Sequence, residues 1–213
     1  METPERPLSI TVRILEGLAR MAMVNRVDDW NRAKALGLNP TQLAILVLLE
    51  GRHSGMSVKD ISAHLGVSQP TATDSVLALE RKGLVLKQVS ETDKRGLAIT
   101  ITREGLSLLS GEHSGTLADR AVASLTDDEQ QDLLLALIKM IRSLQAENAI
   151  PVQRMCVSCR FFAPFAHAGS AQPHHCHLVD AAFGQRDLRV DCREHEPADP
   201  ASQAATWQAF QKG

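Results

Sequence analysis

Residues 65 to 102 read LGVSQPTATDSVLALERKGLVLKQVSETDKRGLAITIT, and this run decides the fold. Its opening, Leu65-Gly66-Val67-Ser68, places a glycine able to take a positive φ between two helices, then a serine whose hydroxyl caps the second one. That is helix-turn-helix chemistry. Pro70 suits a first helical turn, where no backbone donor is needed. Val76, Leu77, Ala78 and Leu79 supply a buried side, leaving Gln69, Thr71, Thr73 and Ser75 on the other. Gly83 stops the helix after Arg81 and Lys82. The period then changes to two: Leu84, Leu86 and Gln88 oppose Val85 and Val89, and on the return Leu97, Ile99 and Ile101 alternate with Ala98, Thr100 and Thr102. One face of this ribbon is expected to cover the helices, with the tip, Glu91 to Gly96, projecting into solvent. A projecting Arg95 suits a DNA minor groove.

Upstream, the apolar stripe Ile10, Ile14, Leu18, Met21 and Val24 predicts a helix over 8–36, broken by Gly37. Met21 and Trp30 are assigned to core packing in preference to an effector pocket. Asn39-Pro40-Thr41 opens a buried supporting helix from Leu43 to Glu50, and Ser57 caps another over Val58 to Leu65, with Asp60 completing the cap. His53 and His64 have no partner at metal-binding spacing and are read as surface or packing residues. Downstream of Arg103 the chain is helical again through Leu106, Leu109, Leu117, Ala121 and Leu125, with a break between Gly111 and Gly115. Thr126-Asp127-Asp128-Glu129 is a capping box with acids at the positive end of the helix dipole. Leu134, Leu137, Ile138, Ile141 and Leu144 follow at helical spacing, and Leu133 and Leu135 widen the apolar face beyond what one neighbour requires. This helix and the first are read as a dimerisation layer, ended by Pro151. The layer would set two recognition helices about one DNA turn apart on a roughly palindromic site.

Gln69 to Gly105 resembles the winged helix of the MarR family of bacterial transcription regulators, through the helix end LERKGLV, the tip DKRG and the closing ITITREG. The resemblance implies a mainly α fold with a small β-hairpin wing, an α+β winged helix in a MarR-like homodimer whose first helix shares the interface. It also implies a recognition helix in the major groove and a wing arginine, steadied by an aspartate two residues earlier, in the minor groove; Arg95 and Asp93 match those positions. The DNA-binding set is then Ser68, Gln69, Thr71, Thr73, Ser75, Arg81, Asp93, Lys94 and Arg95, with the hydroxyl and amide groups meeting base edges or phosphates and Lys94 and Arg81 the backbone. Asp74 departs from the family, which commonly carries a basic residue there.

Composition divides the chain. All five Phe, all four Cys and five of the eight His lie after residue 150. Two bodies are expected: a DNA-binding and dimerisation domain over 1–150, and a small irregular cysteine- and histidine-rich metal-binding module with a loose tail over 151–213. The net charge of −2 conceals a segregation, six Lys/Arg against two Asp/Glu from Arg81 to Arg103 but three against eight over 104–150. That distribution suits a duplex partner better than a membrane. The polar opening METPERPLS and the absence of a long apolar run point to a cytoplasmic protein without a membrane role. In that compartment four cysteines favour metal ligation over disulfides.

Cys156-x-x-Cys159 lets two thiolates face one centre from a tight turn, and Cys176 and Cys192 complete a four-sulfur shell. In order and approximate spacing these cysteines are similar to high-potential iron–sulfur proteins. That resemblance implies a [4Fe-4S] cluster walled by Phe161, Phe162, Phe165 and Phe183. It departs at Val190-Asp191, where that family tends to carry a glycine-aromatic pair. Zinc held by Cys156, Cys159, Cys192 and His195 is the alternative. His174, His175 and His177 flank Cys176 as supporting donors or as a solvated cluster, and Trp207 and Phe210 either anchor a short final helix or belong to an untethered tail. No nucleophile, base and orienting group assemble, so no enzyme is expected. The reading is a homodimeric DNA-binding regulator, usually repressing, whose metal centre reports redox or iron status. One alternative is a regulator answering to a small-molecule effector, with zinc only stabilising the module. An electron-transfer protein is the other.

Overall fold

The computed structural model describes residues 9–89, 96–110 and 115–212. The fold is mainly helical with two small antiparallel sheets, the first of them the wing of a winged helix. Helix α1 (Ile10–Ala35) starts at Ser9, whose hydroxyl accepts from Val12 N–H at 3.3 Å, and ends just before Gly37. Helix α2 (Pro40–Leu49) opens on a reciprocal cap: Asn39 Oδ1 accepts from Gln42 N–H at 2.8 Å and Gln42 Oε1 from Asn39 N–H at 3.3 Å. It buries Leu43, Ile45, Leu46 and Leu49, so it is enclosed on several sides. Helix α3 (Val58–Leu65) is capped by Ser57 as expected. Gly66 then takes φ 63°, a left-handed conformation costly for any residue with a Cβ, and turns the chain into α4 (Gln69–Arg81).

Strands β1 (Val85–Val89) and β2 (Leu97–Ile101) pair antiparallel, with Val85 opposite Ile101 and Val89 opposite Leu97. Met56 extends the sheet by exchanging two backbone hydrogen bonds with Ile99, at 3.0 and 2.8 Å. The core of this body joins α2 to Ile61, Ala72, Val76, Leu79, Val85 and Ile99. Two details of α4 correct the sequence reading. Leu77 is exposed, and Ser75, expected among the DNA-facing residues, is 7% exposed. The inward face runs through Ala72, Ser75, Val76 and Leu79, the three- and four-residue steps of a helix, which carries Ser75 inward and Leu77 outward.

Helix α5 (Arg103–Leu109) is capped by Thr102, whose hydroxyl also donates to Gly83 O at 2.8 Å. Helix α5 ends at Leu109 and α6 (Leu117–Val122) follows; of the break expected between Gly111 and Gly115, residues 111–114 lie outside the described residues. The Asp28 carboxylate of α1 accepts from Leu117 N–H at 3.1 Å and Ala118 N–H at 3.0 Å, an anion at a helix N-terminus. Helix α7 (Asp127–Ala146) begins with the predicted capping box at Thr126 and Glu129.

Residues after 150 form a second core that draws on α7. Ile138, with Leu134, Leu135 and Ile141 beside it, packs against Met155, Val157, Phe162, Leu188 and Phe210. One apolar stripe of α7 is thus used within the chain, which accounts for part of its unusual width, while Leu133, Met140 and Leu144 remain outside. Strands β3 (Phe162–Ala163), β4 (His174–Cys176) and β5 (Ala181–Phe183) form a small antiparallel sheet with Phe162 opposite Cys176 and His174 opposite Phe183. The tail, expected either to be loose or to form a short final helix, is helix α8 (Pro200–Lys212). Asp199 Oδ1 accepts from Ala201 N–H and Ser202 N–H, both at 3.0 Å, and buried Phe210 anchors the far end. Trp30, assigned to core packing, is 61% exposed on α1 together with Ile10, Ile14 and Leu15. Among the described residues no helix is long and apolar enough to cross a membrane.

Candidate nucleic-acid interface and thiol-lined cavity

The outward face of α4 carries Ser68, Gln69, Thr71, Thr73 and Arg81, all exposed, beside Asp74. Ser68 Oγ accepts from Thr71 N–H at 3.2 Å and shares a hydrogen bond of 2.8 Å with Thr71 Oγ1. Thr73 Oγ1 donates to Gln69 O at 2.8 Å, which leaves its oxygen lone pairs outward as acceptors. The Gln69 amide offers both donor and acceptor, the combination that matches an adenine edge. Arg81 lies at the other end of the face, its Nε donating to Leu77 O at 3.3 Å. Lys82 Nζ is engaged by Gly37 O at 2.7 Å and Gln42 Oε1 at 3.3 Å, which ties the end of α4 to the α1–α2 junction. Asp93, Lys94 and Arg95 lie outside the described residues.

All four cysteines are free and half-buried. They line a single cavity of about 260 Å³ together with Phe161, Phe162, Phe183 and Leu178. Cys156 starts a 3₁₀ turn (Cys156–Ser158), and Cys159 N–H closes it on Cys156 O at 2.9 Å. Backbone bonds fix the remaining sides: Cys156 N–H to Arg189 O at 3.0 Å and Cys192 N–H to Arg154 O at 2.8 Å. Cys176 ends β4, placed by its pairing with Phe162. Two donors approach the sulfurs, Arg189 N–H at 3.3 Å from Cys156 Sγ and Arg189 Nη1 at 3.8 Å from Cys192 Sγ. Burial pushes the Cys156 thiol up to about 11, against the lowering effect of the Arg189 N–H, and the other three thiols add to the rise.

Several expected neighbours stand elsewhere. His195 is not in the cavity lining; its Nε2 lies 3.0 Å from Ser158 Oγ. Phe165, expected in the wall, instead stacks on Phe210 and meets His174 edge to face. His174, expected to support Cys176 or to be solvated, is fully buried among Phe162, Phe165, Phe183 and Phe210. Its Nδ1 accepts from Phe165 N–H at 3.3 Å, which places the proton of the neutral ring on Nε2, and burial lowers its pKa. His175 does reach solvent, bridging His167 and Asp180 at 3.2 Å each. Among the described residues no group of three or more His, Cys, Asp or Glu side chains is arranged to hold a metal ion.

Sequence reasoning missed Arg154. Its guanidinium is buried between the two bodies, bonded to Asp191 at 2.5 Å and to the Gly51 and Glu50 carbonyls at 3.2 Å each. Nothing in its local sequence marks it, because all its side-chain partners are distant in the chain.

Residues 38–97 match the MarR family model. The chain is 28% identical over 125 residues to the uncharacterized HTH-type transcriptional regulator YfiV of Bacillus subtilis, covering 58% of this chain and 74% of that protein. It is 27% identical over 111 residues to the organic hydroperoxide resistance transcriptional regulator of the same organism, covering 51% and 73%. Among solved structures, a MarR protein from Peptoclostridium difficile superimposes with a TM-score of 0.52 at 26% identity, covering 69% of this chain and 95% of that one. CouR from Rhodococcus jostii, solved with p-coumaroyl-CoA, has the same fold with a TM-score of 0.52 at 20% identity, covering 68% and 98%. MarR homologues are transcription regulators, not enzymes, and the winged helix here is of that type.

Proposed function

We propose, from a winged helix of the MarR type, that this protein is a homodimeric DNA-binding transcription repressor whose C-terminal module holds an iron–sulfur group reporting redox or iron status. Gln69, Thr71 and Thr73 would face base edges or phosphates in the major groove, Arg81 the backbone, and the wing residue Arg95, steadied by Asp93, the minor groove. The exposed apolar residues of α1, Ile10, Ile14, Leu15 and Trp30, support a second chain as the partner of that helix.

The observation that carries the sensing half is the convergence of four thiols on one apolar chamber. Cys156, Cys159, Cys176 and Cys192 would hold the group, with the Arg189 N–H bonded to a ligand sulfur. The fit favours a polynuclear group over zinc. All four cysteines, Cys176 among them, line the chamber, whereas His195, the fourth ligand of the zinc reading, is turned to Ser158. When bound, such a group supplies one-electron chemistry at a potential set by burial and hydrogen bonds to sulfur. Anaerobically purified protein should be brown and contain iron, and Cys176→Ala should lose both; colourless protein with one zinc, unchanged by that substitution, would replace this reading with a structural zinc site. Arg95→Ala should weaken duplex binding in an anisotropy titration, and wild-type affinity in that variant would remove the wing from the interface.

A further inference from the structure

The thiol-lined cavity and the DNA-reading helix are joined by one buried side chain. Arg154 is 7% exposed and lies two residues before Cys156. Its Nε donates to Asp191 Oδ1 at 2.5 Å, Asp191 being the residue before Cys192, while Nη1 and Nη2 donate to Gly51 O and Glu50 O at 3.2 Å. Its own carbonyl accepts the Cys192 N–H at 2.8 Å. The same residue therefore ties the segment of Cys156 and Cys159 to that of Cys192 and to the C-terminal end of α2. Arg193, on the far side of Cys192, pairs with the Glu50 carboxylate, and its side chain lies against Gly51, where a Cβ would stand 2.5 Å from Arg193 Cγ.

We propose that Arg154 is the positioning residue that transmits the state of the cysteine site to the winged helix, through its bonds to Asp191 and to the end of α2. Charge-assisted hydrogen bonds to a carboxylate and two carbonyls hold a guanidinium that is costly to leave buried and unpaired, so the arrangement tends to be made or lost as a unit. Leu46 and Leu49 of α2 share one core with Ile61 of α3 and Val76 and Leu79 of α4. A shift at Glu50 and Gly51 is thus passed to the seat of α4, and a close-packed core moves between discrete arrangements in preference to deforming smoothly. The inference deepens the sensing role proposed above, and relies on it only for the identity of the trigger.

A double-mutant cycle of Cys192→Ala and Arg154→Met tests it, read by amide exchange over residues 49–52 and by duplex affinity. Cys192→Ala alone should speed exchange there by about tenfold and change affinity by about fivefold; on the Arg154→Met background it should change either by less than about twofold. Wild-type exchange and affinity in Cys192→Ala, or effects undiminished in the double variant, would overturn the proposal. Should Arg154→Met fail to fold, Asp191→Asn takes its place in the cycle with the same expectation, since Asp191 is exposed and its loss removes the bond that ties Arg154 to the Cys192 segment. Iron content measured on the wild-type preparation judges the cluster reading separately, because neither readout of the cycle requires iron.

Discussion

Asp74 stands exposed on α4 between Thr73 and the inward-facing Ser75, on the face offered to DNA. A carboxylate there repels the phosphate backbone, and Asp74→Asn should strengthen duplex binding by about 1 kcal/mol, roughly fivefold, with the gain shrinking at high salt. Ser75→Ala should leave affinity unchanged in the same titration, since its side chain is buried against the core. The sequence reading grouped Ser75 with Gln69, Thr71 and Thr73 because all are polar. Polarity alone does not report helical phase: Ser75 is small enough to lie inside a helix–helix contact, while Leu77, though apolar, falls on the outer side. His174 illustrates the same limit. Three histidines around one cysteine read as a solvated cluster, yet β4 turns His174 into an aromatic cage and His175 outward, because successive strand side chains alternate.

Local signals fixed the helix starts reliably. Asn39, Ser57, Ser68 and Thr126 each cap the helix that their sequences announce, because a capping oxygen and the amide it serves lie within three residues. The start of α7 has a measurable pH signature. Hydrogen bonds from the Thr126 N–H and hydroxyl hold the Glu129 carboxyl below the ordinary glutamate range near pH 4. A carboxyl depressed in the folded state adds stability that is complete above its unfolded pKa and is lost as pH falls through the folded one. Unfolding followed from about pH 6 to 3 should therefore show a steeper acid loss in wild type than in Glu129→Gln, with parallel curves counting against the cap. Thr126→Ala should cost about 1 kcal/mol at neutral pH. Helix α8 was harder to read, since EPADPASQAA looks like a linker until Phe210 finds its cage.

At the scale of the whole molecule, α1 and α7 present their apolar faces differently: that of α1 is exposed, and that of α7 is shared with the cysteine module. Ile14 and Leu15 lie on an exposed apolar helix face that no element covers among the described residues. Leu15→Glu should give a monomer in sedimentation and lower duplex affinity by roughly a hundredfold or more, because two linked half-sites become one. A dimer that persists with full affinity would place the interface elsewhere. Read alone, the sequence determined the helix-turn-helix, the two paired strands and the main helix caps, since each depends on groups a few residues apart or on a local period. Tertiary structure decided that α7 serves the cysteine module, that Phe165 and His195 stand away from the thiols, and that Arg154 links Gly51 to Asp191. Those outcomes depend on contacts across roughly forty to a hundred residues, where packing selects among several partners of equal local merit.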